Sequence, residues 1–320
     1  MLFWVVTALA LGAYFFVYST YVRRKAFRGT VKLHGKTVIV TGSNTGIGKA
    51  TALDLAKRGA RVILACRSKQ RAEAALQEIR RESGNNEVIF MQLDLGSLKS
   101  IRSFAENFLK SEPRLDLLIN NAAVVCAPGR TEDGLGMILG VNHIGPFLLT
   151  NLLLDRLKEC APSRVVNVAS YMHEFGEIDF NCINRHKCLG LGTSTLDITK
   201  IYSHSKLCNV LFTHELAQRL KGTNVTCYSL HPGSVATELD RNSKDSWYVF
   251  IFRPIFRNMF MTDPMSGAQT TLYCALQEGI EPLSGRYFSN CTLTEVKQKA
   301  KDDIVARKLW EVSERLCGMA

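Results

Sequence analysis

Thr37-Val38-Ile39-Val40-Thr41-Gly42-Ser43-Asn44-Thr45-Gly46-Ile47-Gly48-Lys49-Ala50-Thr51-Ala52-Leu53 reads as a buried strand, a glycine-rich turn and the opening of a helix. The β-branched run Val38–Val40 shows no polar alternation, as expected of a parallel strand covered on both faces. Gly42, Gly46 and Gly48 permit a tight turn and close approach of the backbone to a bound group. Ser43, Asn44 and Ile47 complete a loop that opens at a helix N-terminus. Unpaired N–H groups and the helix dipole favour a pyrophosphate there. A glycine-rich turn alone is a weak signal. Set between a strand and a helix, it marks the first βα junction of a dinucleotide-binding fold.

The same rhythm continues downstream. Apolar runs at Arg61–Ala65, Glu87–Leu93, Leu115–Ile119, Arg164–Val168 and Val225–Leu230 alternate with helical patterns. One such pattern places Leu98, Ile101, Phe104, Ala105, Phe108 and Leu109 at 3-and-4 spacing. Alternating strands and helices predict an α/β architecture, a single Rossmann-type doubly wound parallel sheet over residues 37–310. Residues 311–320 read as a short C-terminal tail. No Pro/Ser linker divides residues 30–300, and there is no internal repeat.

The chain has 320 residues, 46% hydrophobic and 22% charged. That composition excludes a disordered chain, a collagen-like fibre and a small disulfide scaffold. The net charge of +11 suggests nucleic acid until it is located. Residues 1–36 hold no acid and six bases (Arg23, Arg24, Lys25, Arg28, Lys32 and Lys36), leaving +5 on the other 284 residues. The basicity is a local flank rather than a nucleic-acid-binding face. It follows Met1–Val22, which is uncharged and largely apolar. Twenty-two residues at ~1.5 Å each reach roughly 33 Å, enough to cross a hydrocarbon core. Residues 1–22 therefore predict a transmembrane signal anchor, and 23–36 a basic juxtamembrane segment on the cytosolic side. Two alternatives stay open: a cleaved signal peptide, giving a secreted protein, and a helix lying on the membrane surface. The ten cysteines show no C-x-x-C pair and no zinc-like spacing with histidine, so buried reduced thiols and no metal are expected. Asn224 and Asn290 head glycosylation sequons, of consequence only if the body is lumenal.

Tyr202-Ser203-His204-Ser205-Lys206 puts Tyr202 and Lys206 on one helix face. An ammonium beside a phenol favours phenolate and lowers a tyrosine pKa from about 10. That suits a general acid for carbonyl reduction and a general base for alcohol oxidation. The second strand ends at Arg67, flanked by Lys69 and Arg71, where an NAD site carries an acid for the ribose 2′-hydroxyl. Arginine there suits a 2′-phosphate, and NADP(H) is the expected cofactor.

These features combine with Asn120-Asn121-Ala122-Ala123, with Ser170 closing Val166-Asn167-Val168-Ala169-Ser170, and with Pro232-Gly233 before Thr237. In that order the chain resembles a short-chain dehydrogenase/reductase over residues 36–310. Within that superfamily it resembles the membrane-anchored retinol dehydrogenase branch. Val141–Thr150, Gly267–Thr270 and Ala275–Gly279 are similar to one member of it. The resemblance implies that Tyr202 exchanges the proton while Lys206 tunes it and holds the nicotinamide ribose. It implies that Ser170 bonds the substrate oxygen and Asn142 holds a water in the proton relay. Asp94, with Leu95 beside it, would meet the adenine, and Asn121 would line the cofactor channel. Pro232 and Gly233 would lie on the cofactor, and Thr237 would bond its carboxamide.

A hydrophobic aldehyde or ketone and its alcohol, retinoid-like or another lipid carbonyl, is the implied substrate pair. The endoplasmic reticulum or a related membrane is the implied location, with a homodimer through the helices around Asn142 and Tyr202. Two departures stand out. Ala123 occupies a position where the family has glycine, and Asn181–Thr199 reads as an inserted loop between Ser170 and Tyr202. The apolar stretch between Leu239 and Met265, including Trp247–Phe252, falls where the family places its substrate lid, with a core or subunit-contact helix as the alternative. The competing functional class is a non-catalytic regulator that binds a dinucleotide. The presence of Ser170, Tyr202 and Lys206 argues against it.

Overall fold

The computed structural model describes residues 25–126, 129–181, 183, 194–233, 235 and 262–319. Along the chain run β1 (Thr37–Thr41), α1 (Gly46–Lys57), β2 (Arg61–Cys66), α2 (Lys69–Ser83), β3 (Val88–Gln92), α3 (Leu98–Ser111) and β4 (Leu117–Asn120). A short turn, Met137–Leu139, and a π-helical turn, Gly140–Ile144, lead into α4 (Gly145–Glu159). Then come β5 (Ser163–Val168), α5 (Thr195–Arg219), β6 (Val225–His231), α6 (Pro264–Leu276), β7 (Tyr287–Ser289), β8 (Thr292–Leu293) and α7 (Asp303–Leu316).

The eight strands form one sheet in the order β3-β2-β1-β4-β5-β6-β7-β8. All pairs from β3 to β7 are parallel. The chain works outward from β1 in one direction and then in the other. A crevice therefore opens between β1 and β4 at the carboxyl edge of the sheet. Side chains alternate between two cores. Ile39, Ile63, Leu118, Val165 and Cys227 face α3, α4, α5 and α7. Val38, Val40, Leu64, Ile119, Val166 and Leu230 face α1, α2 and α6. Burial on both faces explains why the strands read as continuous apolar runs. The spacing in residues 98–109 gives α3, whose Ile101, Phe104, Ala105 and Phe108 are buried.

Several boundaries differ from the sequence reading. The expected wholly parallel sheet gains β8, which pairs antiparallel with β7 through Phe288–Leu293 and Ser289–Thr292. Both strands are too short for a periodicity to show. The tail expected from residue 311 is the second half of α7, and the boundary at 310 falls inside that helix. Its Trp310, Val312 and Cys317 are buried. Residues 195–199 of the expected insertion belong to α5, which starts at a capping box in which Ser194 and Asp197 bond each other's backbone N–H. Among the described residues one helical stretch, Met137–Glu159, is long and apolar enough to cross a bilayer. It is the central core helix, with Phe147, Leu148, Leu149, Leu153 and Leu157 fully buried. The expected anchor over residues 1–22, Thr237, the stretch 239–261 and residues 184–193 of the insertion lie outside the described residues.

Candidate active site

The glycine loop folds as its residue types require. Gly42 and Gly46 have φ of +64° and +55°, a region side chains avoid. A Cβ on Gly42 would stand 2.9 Å from the Ala122 backbone, and one on Gly48 would stand 2.5 Å from the Gly42 carbonyl oxygen. Thr41 and Asn121 lock the loop to β4. Thr41 Oγ1 accepts from the Asn121 and Ala122 N–H groups, both at 3.0 Å. Asn121 Nδ2 donates to the Thr41 carbonyl at 2.9 Å. Ser43 points inward instead: it is buried and donates to the Val40 carbonyl at 2.8 Å. These contacts hold a backbone cradle at the start of α1.

A cleft of about 270 Å³ runs from this cradle along the carboxyl ends of the strands. Gly42, Asn44, Gly46, Ile47, Gly48, Arg67, Asp94, Leu95, Asn121, Tyr202, Lys206 and Pro232 line it, together with Ala123. At the end of β2 the lining includes the exposed Arg67 and the half-buried Arg71, while Lys69 turns to Glu73 at 3.8 Å. Asp94 is the one acid in the lining among the described residues, and its Oδ1 accepts from the Gly96 N–H at 2.9 Å. A glycine-built pyrophosphate cradle beside two guanidinium groups fits a nicotinamide dinucleotide.

The other half of the cleft rests on side chains. Lys206 is 1% exposed, with its ammonium 2.9 Å from the Val168 carbonyl oxygen and 5.4 Å from the Tyr202 ring centroid. Burial lowers its pKa from an ordinary 10.5 to about 7. Ser170 follows β5 just past Val168 and Ala169, which line the cleft. Its Oγ accepts from the Met172 N–H at 3.2 Å, leaving the hydroxyl proton for another acceptor. Asn142 sits in the π-turn behind the cleft. Its Oδ1 accepts from the Val124 N–H at 2.8 Å. Its Nδ2 donates to the Val124 carbonyl at 3.0 Å and to Ser205 Oγ at 3.1 Å. Ser205 Oγ in turn donates to the Tyr202 carbonyl at 2.7 Å. Asn142 thus ties a cleft wall to the helical turn that carries Tyr202. Gly233, with φ of +96°, follows Pro232 at the end of β6.

The sequence reading missed a buried polar ladder beneath these residues. Asn120 Nδ2 donates to Asn167 Oδ1 at 2.8 Å and to Thr150 Oγ1 at 3.0 Å, and Asn167 Nδ2 donates to Thr213 Oγ1 at 2.9 Å. The available signal was an asparagine inside the apolar run Val165-Val166-Asn167-Val168. His143 Nε2 lies 2.9 Å from Ser313 Oγ, and full burial lowers its pKa to about 4. No disulfide joins the cysteines among the described residues. Burial raises the Cys66 and Cys274 thiols, consistent with inert core residues. No cluster of metal-ligating side chains occurs among the described residues.

Comparison with known proteins places this arrangement. The short chain dehydrogenase family pattern matches residues 36–182. The bovine protein named dehydrogenase/reductase SDR family member 13 is 54% identical over 311 residues, covering 97% of this chain and 81% of its own. Human retinol dehydrogenase 11 is 50% identical over 294 residues, covering 91% of this chain and 88% of its own. Among solved structures, an uncharacterized protein from Mycobacterium paratuberculosis superposes with a TM-score of 0.71 at 31% identity, covering 92% of this chain and 98% of its own. The chain therefore belongs to the short-chain dehydrogenase/reductase family, in its retinol dehydrogenase-like branch, and is an oxidoreductase of that family.

Proposed function

We propose that this chain is a membrane-anchored, NADP(H)-dependent oxidoreductase. Its reaction interconverts a hydrophobic aldehyde or ketone, retinoid-like or another lipid carbonyl, and the corresponding alcohol. The observation that carries this reading is the buried Lys206 ammonium beside Tyr202 in the cleft that the glycine loop also lines. When bound, a nicotinamide dinucleotide would supply or accept the hydride; the backbone of Gly42–Gly48 would hold its pyrophosphate, Arg67 a 2′-phosphate, and Asp94 with Leu95 the adenine.

In the reduction direction the Ser170 hydroxyl donates to the carbonyl oxygen, polarising it and stabilising the charge that develops there. Tyr202 gives its phenolic proton to the same oxygen, and Lys206 stabilises the phenolate left behind. In oxidation Tyr202 acts as the base. Both N–H groups of the Asn142 amide are engaged, leaving the second lone pair of Oδ1 for a relay water. The main work of Asn142 is to position the helical turn under Tyr202.

The retinol dehydrogenase names among the relatives support the apolar substrate, and the apolar Met1–Val22 followed by six bases supports the anchor. Cytosolic orientation predicts that the exposed sequon at Asn224 carries no glycan. The decisive assay is NADPH oxidation by membranes carrying the protein, with all-trans-retinal as substrate, beside NADH and Tyr202→Phe controls. Turnover with NADPH that vanishes in the variant supports the reading. Cofactor binding without turnover across retinal, fatty aldehydes and ketosteroids would return the non-catalytic regulator.

A further inference from the structure

We infer that the carboxyl edge of the sheet is a lipid-facing surface, set against the bilayer by the docked segment Lys25–Lys36. The inference rests on the anchored reading above and adds to it which face of the domain meets the membrane.

The first observation is where the chain enters the domain. Lys25 grips the β7–β8 turn at every residue. Its N–H donates to Asn290 Oδ1 at 2.8 Å, and its ammonium donates to Thr292 Oγ1 at 3.0 Å. Its carbonyl lies 3.5 Å from Cys291 Sγ. Asn290 and Cys291 have φ of 52° and 55°. A tight two-residue hairpin asks for that left-handed pair, yet it is unfavourable for cysteine, so the surrounding contacts must hold it. From there the segment crosses the α1/α6 layer. The Phe27 N–H donates to Gln269 Oε1 at 2.9 Å, and its ring meets Tyr273 edge-on at 6.2 Å. Arg58 Nη1 donates to the Gly29 and Val31 carbonyls, and Leu33 is buried. The segment reaches the opposite edge only where β1 begins.

The β7–β8 turn follows Ser289, which pairs with His231 at the carboxyl end of β6. It therefore lies on the edge where the cleft opens. Only Arg23 and Arg24 separate Lys25 from Val22, so three Cα steps of at most 3.8 Å tether this edge within about 11 Å of the apolar stretch. A tether that short, gripped at its landing point, leaves the domain little freedom to turn the other edge towards the membrane.

The second observation is independent of the tether. Tyr171 and Phe175, 50% and 59% exposed, follow Ser170 at the end of β5. Leu196 opens α5, Met265 opens α6 and Leu293 lies beyond the turn, and all three are exposed. Aromatic and aliphatic side chains of this kind insert at a membrane interface, beside basic residues such as Lys25 and Arg28. At the other edge, the turns Gly84–Glu87, Lys221–Asn224 and Gln277–Gly279 contain only polar residues and glycine, and the exposed Ile304 at the start of α7, near Lys221, stands there without an aromatic or aliphatic cluster around it among the described residues. A substrate dissolved in lipid would thus meet the cleft edge of the domain first.

Hydrogen exchange read by mass spectrometry tests this on the full-length chain, in phosphatidylcholine vesicles against detergent. Carbonate extraction establishes anchoring separately. The expected result is a several-fold slowing of exchange in 171–176 and 289–294 on vesicles, with 84–87 and 221–224 unchanged. A twelve-residue Gly/Ser insertion between Arg24 and Lys25 should reduce that slowing, because it frees the edge. An anchored chain with equal exchange in both states, or with slowing at 84–87 and 221–224, overturns the inference while the anchor stands. A footprint unchanged by the insertion removes the role given to Lys25–Lys36. A chain that carbonate extracts overturns the anchored reading and this inference with it.

Discussion

The two halves of the cleft are built in different ways. On the β1–β2 side the backbone makes the site. Gly42 and Gly48 clear space, and Thr41 with Asn121 fixes main-chain groups in place. On the β5–α5 side, side chains make it. A buried ammonium, a phenol and an asparagine amide form it, the ammonium on the Val168 carbonyl and the amide on Val124 and Ser205, beside a polar ladder of Asn120, Asn167, Thr150 and Thr213. Backbone sites fail sharply when a methyl is added, because nothing can rotate away. Side-chain sites fail in proportion to which partner is lost, and they respond to pH.

The largest effect that tests this contrast is chemical. Tyr202→Phe keeps the ring and removes the proton, and kcat should fall by about 10²–10⁴-fold with dinucleotide affinity retained. On the backbone side, Gly48→Ala would put Cβ 2.5 Å from the Gly42 carbonyl oxygen. Titration should show dinucleotide affinity lowered by at least about tenfold, since tenfold needs only about 1.4 kcal/mol. Arg67→Ala should weaken NADPH by about tenfold or more and leave NADH little changed, as the loss of a charged hydrogen bond of about 1.5–3 kcal/mol requires. An equal loss for both cofactors would show that Arg67 reads something other than a 2′-phosphate. Asn167→Ala leaves Asn120 and Thr213 partners unmet, and denaturant unfolding should show a loss of about 1–3 kcal/mol.

The remaining effect is a slope. Lys206 has its pKa lowered from 10.5 to about 7 in the folded chain, so between these values the unfolded chain binds more protons. Its contribution to stability therefore rises with pH across that window and is lowest below pH 7. The stability of the native chain relative to Lys206→Met should climb from neutral to alkaline pH. A flat difference would mean that the ammonium is better solvated than its burial indicates.

Much of the backbone half was legible in the sequence, because glycine has few reasons to recur at that spacing between a strand and a helix. The strands were legible for the same kind of reason: burial on both faces leaves a run such as Val38–Val40 with no polar interruption. Tyr202 and Lys206 could be named from residue type and spacing, but the depth of Lys206 could not, since α5 carries no amphipathic stripe and is buried along much of its length. Asn120 and Asn121 are neighbours with opposite tasks, one facing the ladder and one facing the loop. Period-two alternation decides between them only once strand register is known. β7 and β8 escaped because three and two residues are too few for any period to show.

Trp310 gives the core an order of completion. It sits in α7, and its ring packs 4.9 Å from Phe147 and 5.8 Å from Phe212, on helices synthesised well before it. The Arg219 guanidinium stacks over the same ring at 4.2 Å. A chain emerging during synthesis can pair β1 with β2 and even β4 while the aromatic pocket on α4 and α5 still stands open to water. Docking of α7 closes it, so burial of the Trp310 indole marks the moment that this pocket fills, readable by fluorescence once Trp4 and Trp247 are replaced.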